Sequence, residues 1–194
     1  GQFIPNIDTY YVAKDPAHNK YWFPPINNIN IWFNVKRAPL NNKLVRQAFA
    51  YAIDRGGASR TGEYSYEPPG NQTGVPSPTF DSWIDQKQVA RYNYRFDPAK
   101  AADLLRQAGY KKGSSGIYQD SSGKNLSFSI INLAGYTDWV ASVQAITDNL
   151  KQLGIELKAQ NLESNAYFDK LFGGKFDLAY GSLTTSPGPT PYYE

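Results

Sequence analysis

The side chains that most often carry catalysis are scarce in this sequence. Its 194 residues include no cysteine and one histidine, His18. Thiolate nucleophiles and cysteine metal sites are therefore excluded, and a histidine zinc site or a catalytic triad would depend on His18 alone. We therefore expect no catalytic residue, no metal ion and no cofactor.

A pair of carboxylates is the one catalytic set that the composition leaves open, and a glycoside hydrolase would use such a pair. Asp138 with Asp177 or Glu163 is the set to consider. Asp177 stands at the start of a predicted strand, so we expect it at the opposite end of the sheet from Asp138. The hydrolase remains an alternative.

Aromatic side chains are abundant: the chain has fifteen Tyr, ten Phe and four Trp. Together with many Asn and Gln residues, they suit the recognition of a polar ligand better than bond-making. The net charge is +3, and the basic residues are scattered, which argues against nucleic acid as a partner. No apolar run approaches the roughly 18–20 residues that a membrane-spanning helix needs.

The spacing of apolar residues predicts the elements that must position any site. Alternating apolar residues indicate strands, and apolar residues three or four positions apart indicate helices. Gly56 and Gly57 are expected to end the first helix, and Thr137 or Asp138 to cap a later one. The predicted elements are a strand over 29–35, helices over 42–54 and 97–109, a hairpin of 117–119 with 126–132, a helix over 137–154, a strand over 155–160, a helix over 164–173 and a strand over 176–180.

The order β-α-β-α-β over 126–181 predicts a sheet whose strands are joined by crossover helices, so the fold class is α/β or α+β. Residues 1–28 are rich in proline and predict an extended lead-in. Residues 56–96 predict a long ordered excursion, because disordered segments are poor in the aromatic residues found there.

Ligands of open α/β sheets bind beyond the carboxyl ends of the strands, so the residues after each strand are candidate site residues. Trp83, with Tyr66 and Phe80, is a candidate on the excursion. The alternatives are that Asp138 only caps its helix while Trp139 lies in the core, that residues 181–193 form a surface turn, and that the excursion packs on its own domain. The candidates after the strands are Tyr136, Asp138, Trp139, Ser182, Leu183, Thr184, Thr185, Tyr192 and Tyr193.

A series of short motifs along the whole chain resembles one family. The first is Asn34 followed by Pro39 and Leu40. The others are VRQA at 45–48, AIDR at 52–55, FDP at 96–98, AGY at 108–110, GK at 123–124, LGI at 153–155 and GKFDL at 174–178. In this order the motifs resemble the C-terminal lobe of the family 5 extracellular solute-binding proteins, the dipeptide and oligopeptide type that serve ABC importers.

The resemblance implies a single ligand-binding lobe, residues 1–194, of a monomeric two-lobed receptor. The lobe would have a periplasmic-binding-protein type II-like fold, with residues 187–194 near the hinge. It implies capture of a small molecule or short oligomer for ABC permease subunits at the membrane, in an extracellular or periplasmic protein anchored as a lipoprotein. A stand-alone interaction or sensing domain is a further alternative.

The resemblance also leaves two ligand classes open. Several peptide-binding members have a Trp-x-x-Asp-like turn after the last strand, and its carboxylate meets the amino terminus of the peptide. Ser182 and Thr185 stand in those places here, and the GPTPYY ending at 188–193 looks like oligosaccharide-binding members. Oligopeptide and oligosaccharide therefore remain alternatives, with a slight preference for sugar.

Overall fold

The computed structural model describes residues 6–23 and 28–182. Its helices and strands follow one another along the chain, with short 3₁₀ helices at Val12–Lys14 and Asp81–Trp83. The elements are α1 (Ile7–Tyr10), β1 (Asn30–Phe33), α2 (Lys43–Ala52), α3 (Arg55–Gly62), α4 (Gln86–Tyr92), α5 (Pro98–Gln107), β2 (Lys111–Lys112), β3 (Tyr118–Gln119), β4 (Ser127–Leu133), α6 (Thr137–Leu153), β5 (Glu156–Leu162), α7 (Ser164–Phe172) and β6 (Leu178–Gly181).

The described residues form a four-stranded mixed sheet in the order β1-β6-β4-β5. Strand β4 runs parallel to β5 on one side and to β6 on the other, while β1 pairs antiparallel with β6. Helix α6 connects β4 to β5, and α7 connects β5 to β6 across the sheet. The predicted α/β fold with crossover helices is confirmed.

The two crossover helices pack on opposite faces of the sheet. Successive residues of a strand point to opposite faces, so one strand contributes side chains to both cores. Phe128 and Ile130 of β4 face the larger core, which α2, α5 and α6 cover. Ile131 faces the smaller core together with Tyr167 of α7. Each fully buried aliphatic or aromatic side chain contributes about 1.5–3 kcal/mol, so these cores hold the strand ends in place.

Helix α2 ends earlier than predicted, and Gly56 and Gly57 do not end it. Residues Ile53 and Asp54 are extended, with ψ of 117° and 91°, and α3 then begins at Arg55. Gly57 lies inside α3, where a Cβ would be 2.6 Å from Oδ2 of Asp54. This glycine therefore permits the close approach of a side chain instead of acting as a helix stop.

Two further predictions differ from the structure. In the lead-in that was predicted to be extended, Ile7–Tyr10 form α1. In the predicted hairpin, β3 pairs with Lys111–Lys112, and it meets the following segment only through a bridge from Gln119 to Asn125. The segment after the turn at 120–125 is β4, which joins the central sheet because its apolar residues complete both cores.

Among the helices of the described residues, none combines the length and the apolar character that crossing a membrane requires.

Candidate functional site

The carboxyl ends of β4 and β6 lie at the same edge of the sheet, because these strands are parallel. Strand β4 ends at Leu133, and the chain then enters α6 at Thr137. Strand β6 ends at Gly181, which pairs with Asn30 at the start of β1. This edge therefore gathers the start of α6, the end of β6 and the start of β1.

Aromatic rings line this edge. Tyr136 stacks on Trp139, with ring centroids 4.7 Å apart and an interplanar angle of 26°, and Trp139 meets Tyr180 edge to face at 5.9 Å. Tyr136 is 40% exposed, whereas Trp139 is partly buried against both cores. The structure thus brings two predicted site residues together, and of these Tyr136 presents the more open ring.

Asp138 is almost fully buried, with 8% of its surface exposed. The interpretation that it only caps the helix is wrong, since α6 begins at Thr137 with Tyr136 at the cap position. Its Oδ1 atom has no hydrogen-bond partner among residues 6–23 and 28–182. A buried carboxylate oxygen without a donor costs stability.

A cavity of about 300 Å³ opens between α3, α6, β1 and the segment 67–77, and Asp138 is not among its lining residues. Its polar lining includes side chains that no sequence pattern singles out. Two of them follow the carboxyl end of α3, one lies on α3 and one lies on α6. These four residues are Glu63, Glu67, Ser59 and Ser142.

Burial and neighbouring negative charges raise the pKa of the two glutamates that line this cavity. Burial, followed by the charges of Glu67 and Asp138, raises the pKa of Glu63 to about 7. Burial and the charge of Asp138 also raise the pKa of Glu67. The pKa of the Tyr180 phenol is raised mainly by burial, although a hydrogen bond with Ser142 opposes the shift. The site is thus acidic, polar and partly shielded from water.

The carboxylate pair that a hydrolase would use is not assembled from Asp138 and Asp177. Asp177 accepts hydrogen bonds from Arg37 at 2.7 Å and from the amide and hydroxyl of Ser129 at 3.0 and 2.9 Å. Ser129 lies near the start of β4, so Asp177 is at the opposite end of the sheet from Asp138, as predicted. Glu163 is exposed after the outer strand β5. Among the described residues, no three His, Cys, Asp or Glu side chains form a group that could hold a metal ion.

The remaining predicted site residues lie on the excursion 56–96 or follow β6. Trp83 is 70% exposed on its 3₁₀ helix and lies outside the lining of the cavity. Tyr66 packs against Tyr21 and Phe23 of the lead-in, and its hydroxyl accepts a hydrogen bond from the amide of Ile7. Ser182 follows β6 directly. Leu183, Thr184, Thr185, Tyr192 and Tyr193 lie outside the described residues.

Comparison with known proteins identifies the structural class and the family of this chain. The solved structures that this fold matches are type II periplasmic binding proteins. A family model described as bacterial extracellular solute-binding proteins, family 5 Middle, matches residues 2–193. The chain belongs to this family.

Individual relatives are similar over part of their length. The oligopeptide-binding protein AppA of Bacillus subtilis is 28% identical over 171 residues, which are 84% of this chain and 30% of that protein. Heme-binding protein A of Haemophilus influenzae is 35% identical over 112 residues, 57% of this chain and 19% of that protein.

Among solved structures, the periplasmic oligopeptide-binding protein of Thermotoga maritima with bound mannohexaose matches with a TM-score of 0.86 and 28% identity. The match covers 99% of this chain and 36% of that one. The chain thus spans about a third or less of the length of these relatives.

Proposed function

We propose that this chain is the ligand-binding lobe of a receptor that captures an oligopeptide or an oligosaccharide for an ABC importer. The observation that carries the proposal is the likeness, over 99% of the chain, to the Thermotoga maritima protein whose structure holds mannohexaose. Because that protein is named an oligopeptide-binding protein, the likeness supports both ligand classes.

The aromatic edge, formed by Tyr136, Trp139 and Tyr180, supplies the contact surface for such a ligand. Tyr136 offers an open ring that Trp139 supports from behind, and a flat ring of this kind stacks on a sugar or packs on a peptide side chain. Asp138 and Ser182 add polar groups at the same edge. In this proposal the remaining contacts come from Leu183, Thr184, Thr185, Tyr192 and Tyr193, together with Trp83 as a more distant wall.

The ligand would bind between this lobe and a second one, with residues 187–194 near the crossover between the lobes. The coverage of 36% of the Thermotoga maritima protein supports this division. In the same proposal the receptor is a monomer without catalytic activity. It would be located outside the cytoplasm as a lipoprotein, and it would deliver its ligand to permease subunits at the membrane.

Thermal unfolding of the full-length protein tests the proposal. Ligands that bind only the folded state stabilise it by about 2.7 kcal/mol at a hundredfold excess over the Kd. The panel should contain manno-, cello-, xylo- and malto-oligosaccharides together with peptides of two to nine residues. We expect stabilisation by at least one class, and no stabilisation by any member would contradict the receptor role. Turnover of a chromogenic glycoside that is lost in Asp138→Asn would favour the hydrolase instead.

A further inference from the structure

Helices α3 and α6 run antiparallel and contact each other at both ends. Before the first turn of α3, the amide of Asp54 donates to Oδ1 of Asn149 at 2.9 Å, and Asn149 lies near the end of α6. At the other end, a Cβ built on Gly62 would lie 2.6 Å from the carbonyl oxygen of Asp138, in the first turn of α6. The chain that leaves α3 therefore emerges at the carboxyl edge of the sheet, where α6 begins.

A second group of aromatic rings lies just beyond this end of α3. The ring of Tyr66 is at its centre, and the rings of Tyr21, Phe23 and Tyr64 surround it at centroid distances of 5.6, 5.3 and 6.0 Å. These four residues are called the Tyr66 cluster below. Tyr64 is 47% exposed and Tyr21 is 37% exposed, so two of the four rings are open to solvent.

The ring of Tyr64 is presented by an unusual backbone conformation. Its φ is 52° and that of Ser65 is 62°, in the left-handed region that residues other than glycine rarely adopt. The amide of Ser65 donates to the carbonyl of Ser59 at 3.3 Å, and that of Tyr66 donates to the carbonyl of Glu63 at 2.9 Å. Strained backbone is concentrated at binding sites, and here it carries a half-exposed ring instead of one that fills the core.

The Tyr66 cluster and the aromatic edge lie at the same end of the sheet. Tyr64 and Tyr136 each stand two residues along the chain from the contact between Gly62 and Asp138. Their α-carbons are therefore at most about 21 Å apart, since each residue spans no more than about 3.6 Å of extended chain. An extended ligand that stacks on Tyr136 can thus reach the cluster along this edge.

Two aromatic surfaces at one edge suit a ligand that carries flat faces at regular intervals. An oligosaccharide does so, because each sugar ring has an apolar face that packs on an aromatic ring and hydroxyls that bond to polar groups around it. The side chains of the cluster are uncharged, as suits a neutral ligand. The Tyr21 hydroxyl donates to the carboxylate of Asp8 at 3.3 Å, so an acceptor for sugar hydroxyls lies beside the rings.

We propose that the Tyr66 cluster is a second binding surface, which holds the distal rings of an oligosaccharide whose first rings bind at Tyr136. This inference rests on the proposed receptor function and narrows its ligand to an oligosaccharide long enough to cover both surfaces. A disaccharide would contact only one of them. The length of the sugar is therefore the property to vary.

Two matched pairs of probes vary the length within one sugar class. The first pair is mannobiose and mannohexaose, and the second is cellobiose and cellohexaose. Calorimetric titration of the full-length protein should show that the hexasaccharide of at least one pair binds at least about tenfold more tightly than its disaccharide, because it gains the stacking contacts of the second surface.

Variants of the cluster separate its ring from its backbone. Tyr64→Gly removes the ring and suits the left-handed conformation, so it should unfold near the wild-type temperature. It should weaken hexasaccharide binding about five- to thirtyfold and leave disaccharide binding unchanged, and Tyr21→Ala should act in the same way. Tyr64→Phe keeps the ring and should keep the affinity.

Phe172→Ala is the matched control. It removes a ring that is 73% exposed at the carboxyl end of α7, which lies at the opposite edge of the sheet because α7 leads back to the start of β6. This variant should bind both sugars as the wild type does. An equal loss of hexasaccharide affinity in Phe172→Ala and Tyr64→Gly would overturn the proposal.

The remaining outcomes separate this inference from the receptor role. Equal affinities of the long and the short sugar overturn the second surface. So do unchanged hexasaccharide affinities in Tyr64→Gly and Tyr21→Ala, or equal losses for both lengths. If neither sugar pair binds but a peptide of the wider panel does, the second surface is wrong and the receptor role stands. If nothing in either panel binds, the receptor role fails and the inference fails with it.

Discussion

The hydroxyl of Tyr167 occupies the space beside the α-carbon of Gly181. It donates to the carbonyl of Tyr180 at 3.1 Å, and a Cβ built on Gly181 would lie 2.5 Å from its oxygen. The same Cβ would lie 3.2 Å from the ring of Trp139 and 3.3 Å from that of Trp32. The end of β6 thus accepts only glycine, which lets three aromatic rings meet the strand at the candidate site.

We predict that Gly181→Ala destabilises the protein by about 1–3 kcal/mol, because an added methyl group must displace packed rings. Tyr167→Phe alone should cost about 1 kcal/mol for the lost hydrogen bond. The double variant should lose less than the sum, since phenylalanine lacks the oxygen that the added methyl group would meet. Urea unfolding measures all three changes, and strict additivity would contradict the clash.

A second prediction concerns Asn34, the first residue of the family motif. Its Nδ2 donates to the carbonyls of Gly174 and Phe176 at 3.0 and 2.9 Å, joining the end of β1 to the turn before β6. Asn34→Ala should therefore cost about 1–2 kcal/mol in urea unfolding. Asn165→Ala, at an exposed position of α7, is the control. An equal effect of the two changes would contradict the structural role of Asn34.

The sequence predicts the sheet and its crossovers well because their signals are local. The alternation in β1 places Ile31 and Phe33 against the larger core, although Trp32 packs against the smaller one. The apolar stripe of α6 reflects burial on one face, which follows directly from the order of residue types. Helix α3 was missed because paired glycines such as Gly56 and Gly57 usually end a helix. They are tolerated there because the Asp54 side chain fills the space beside Gly57.

The site was predictable only in part. The rule that ligands bind beyond strand ends locates Tyr136, Asp138 and Trp139 from the sequence. Glu63 and Glu67 follow no periodic pattern, and the charge of Asp138 acts on them because the end of α3 approaches the start of α6 at Gly62. An approach of this kind is a tertiary contact between segments far apart in the chain, and no local spacing signals it.

The aromatic edge leads to a prediction on affinity. Tyr136→Ala in the full-length protein should weaken ligand binding about five- to thirtyfold, because an exposed ring supported by Trp139 is removed. Tyr92→Ala removes a ring that is 59% exposed and lies on α4, so it should leave affinity unchanged. Calorimetric titration with the ligand found in the panel provides the measurement. Equal losses in both variants would argue against a specific role of Tyr136.

The raised pKa of Glu63 predicts a pH dependence of stability in the unliganded protein. Because its pKa is about 7 in the folded state, above the ordinary glutamate value of 4.5, the folded state binds the proton more tightly than the unfolded chain does. Its effect on the free energy of unfolding should therefore become unfavourable as pH rises from about 4.5 to about 7. Asp177 has a lowered pKa, since hydrogen bonds from Ser129 and Arg37 outweigh its burial, so it stays ionised through this range.

Glu63→Gln should consequently stabilise the unliganded protein at pH 8 by about 1 kcal/mol, a value reduced because the carboxyl is partly exposed. At pH 5 the variant and the wild type should differ much less, since most Glu63 carboxyls are then protonated in the folded protein. Urea unfolding at both pH values tests this, with the exposed Glu156→Gln as the matched control. If the two variants respond to pH in the same way, then burial and the charges of Glu67 and Asp138 do not perturb Glu63 as the geometry requires.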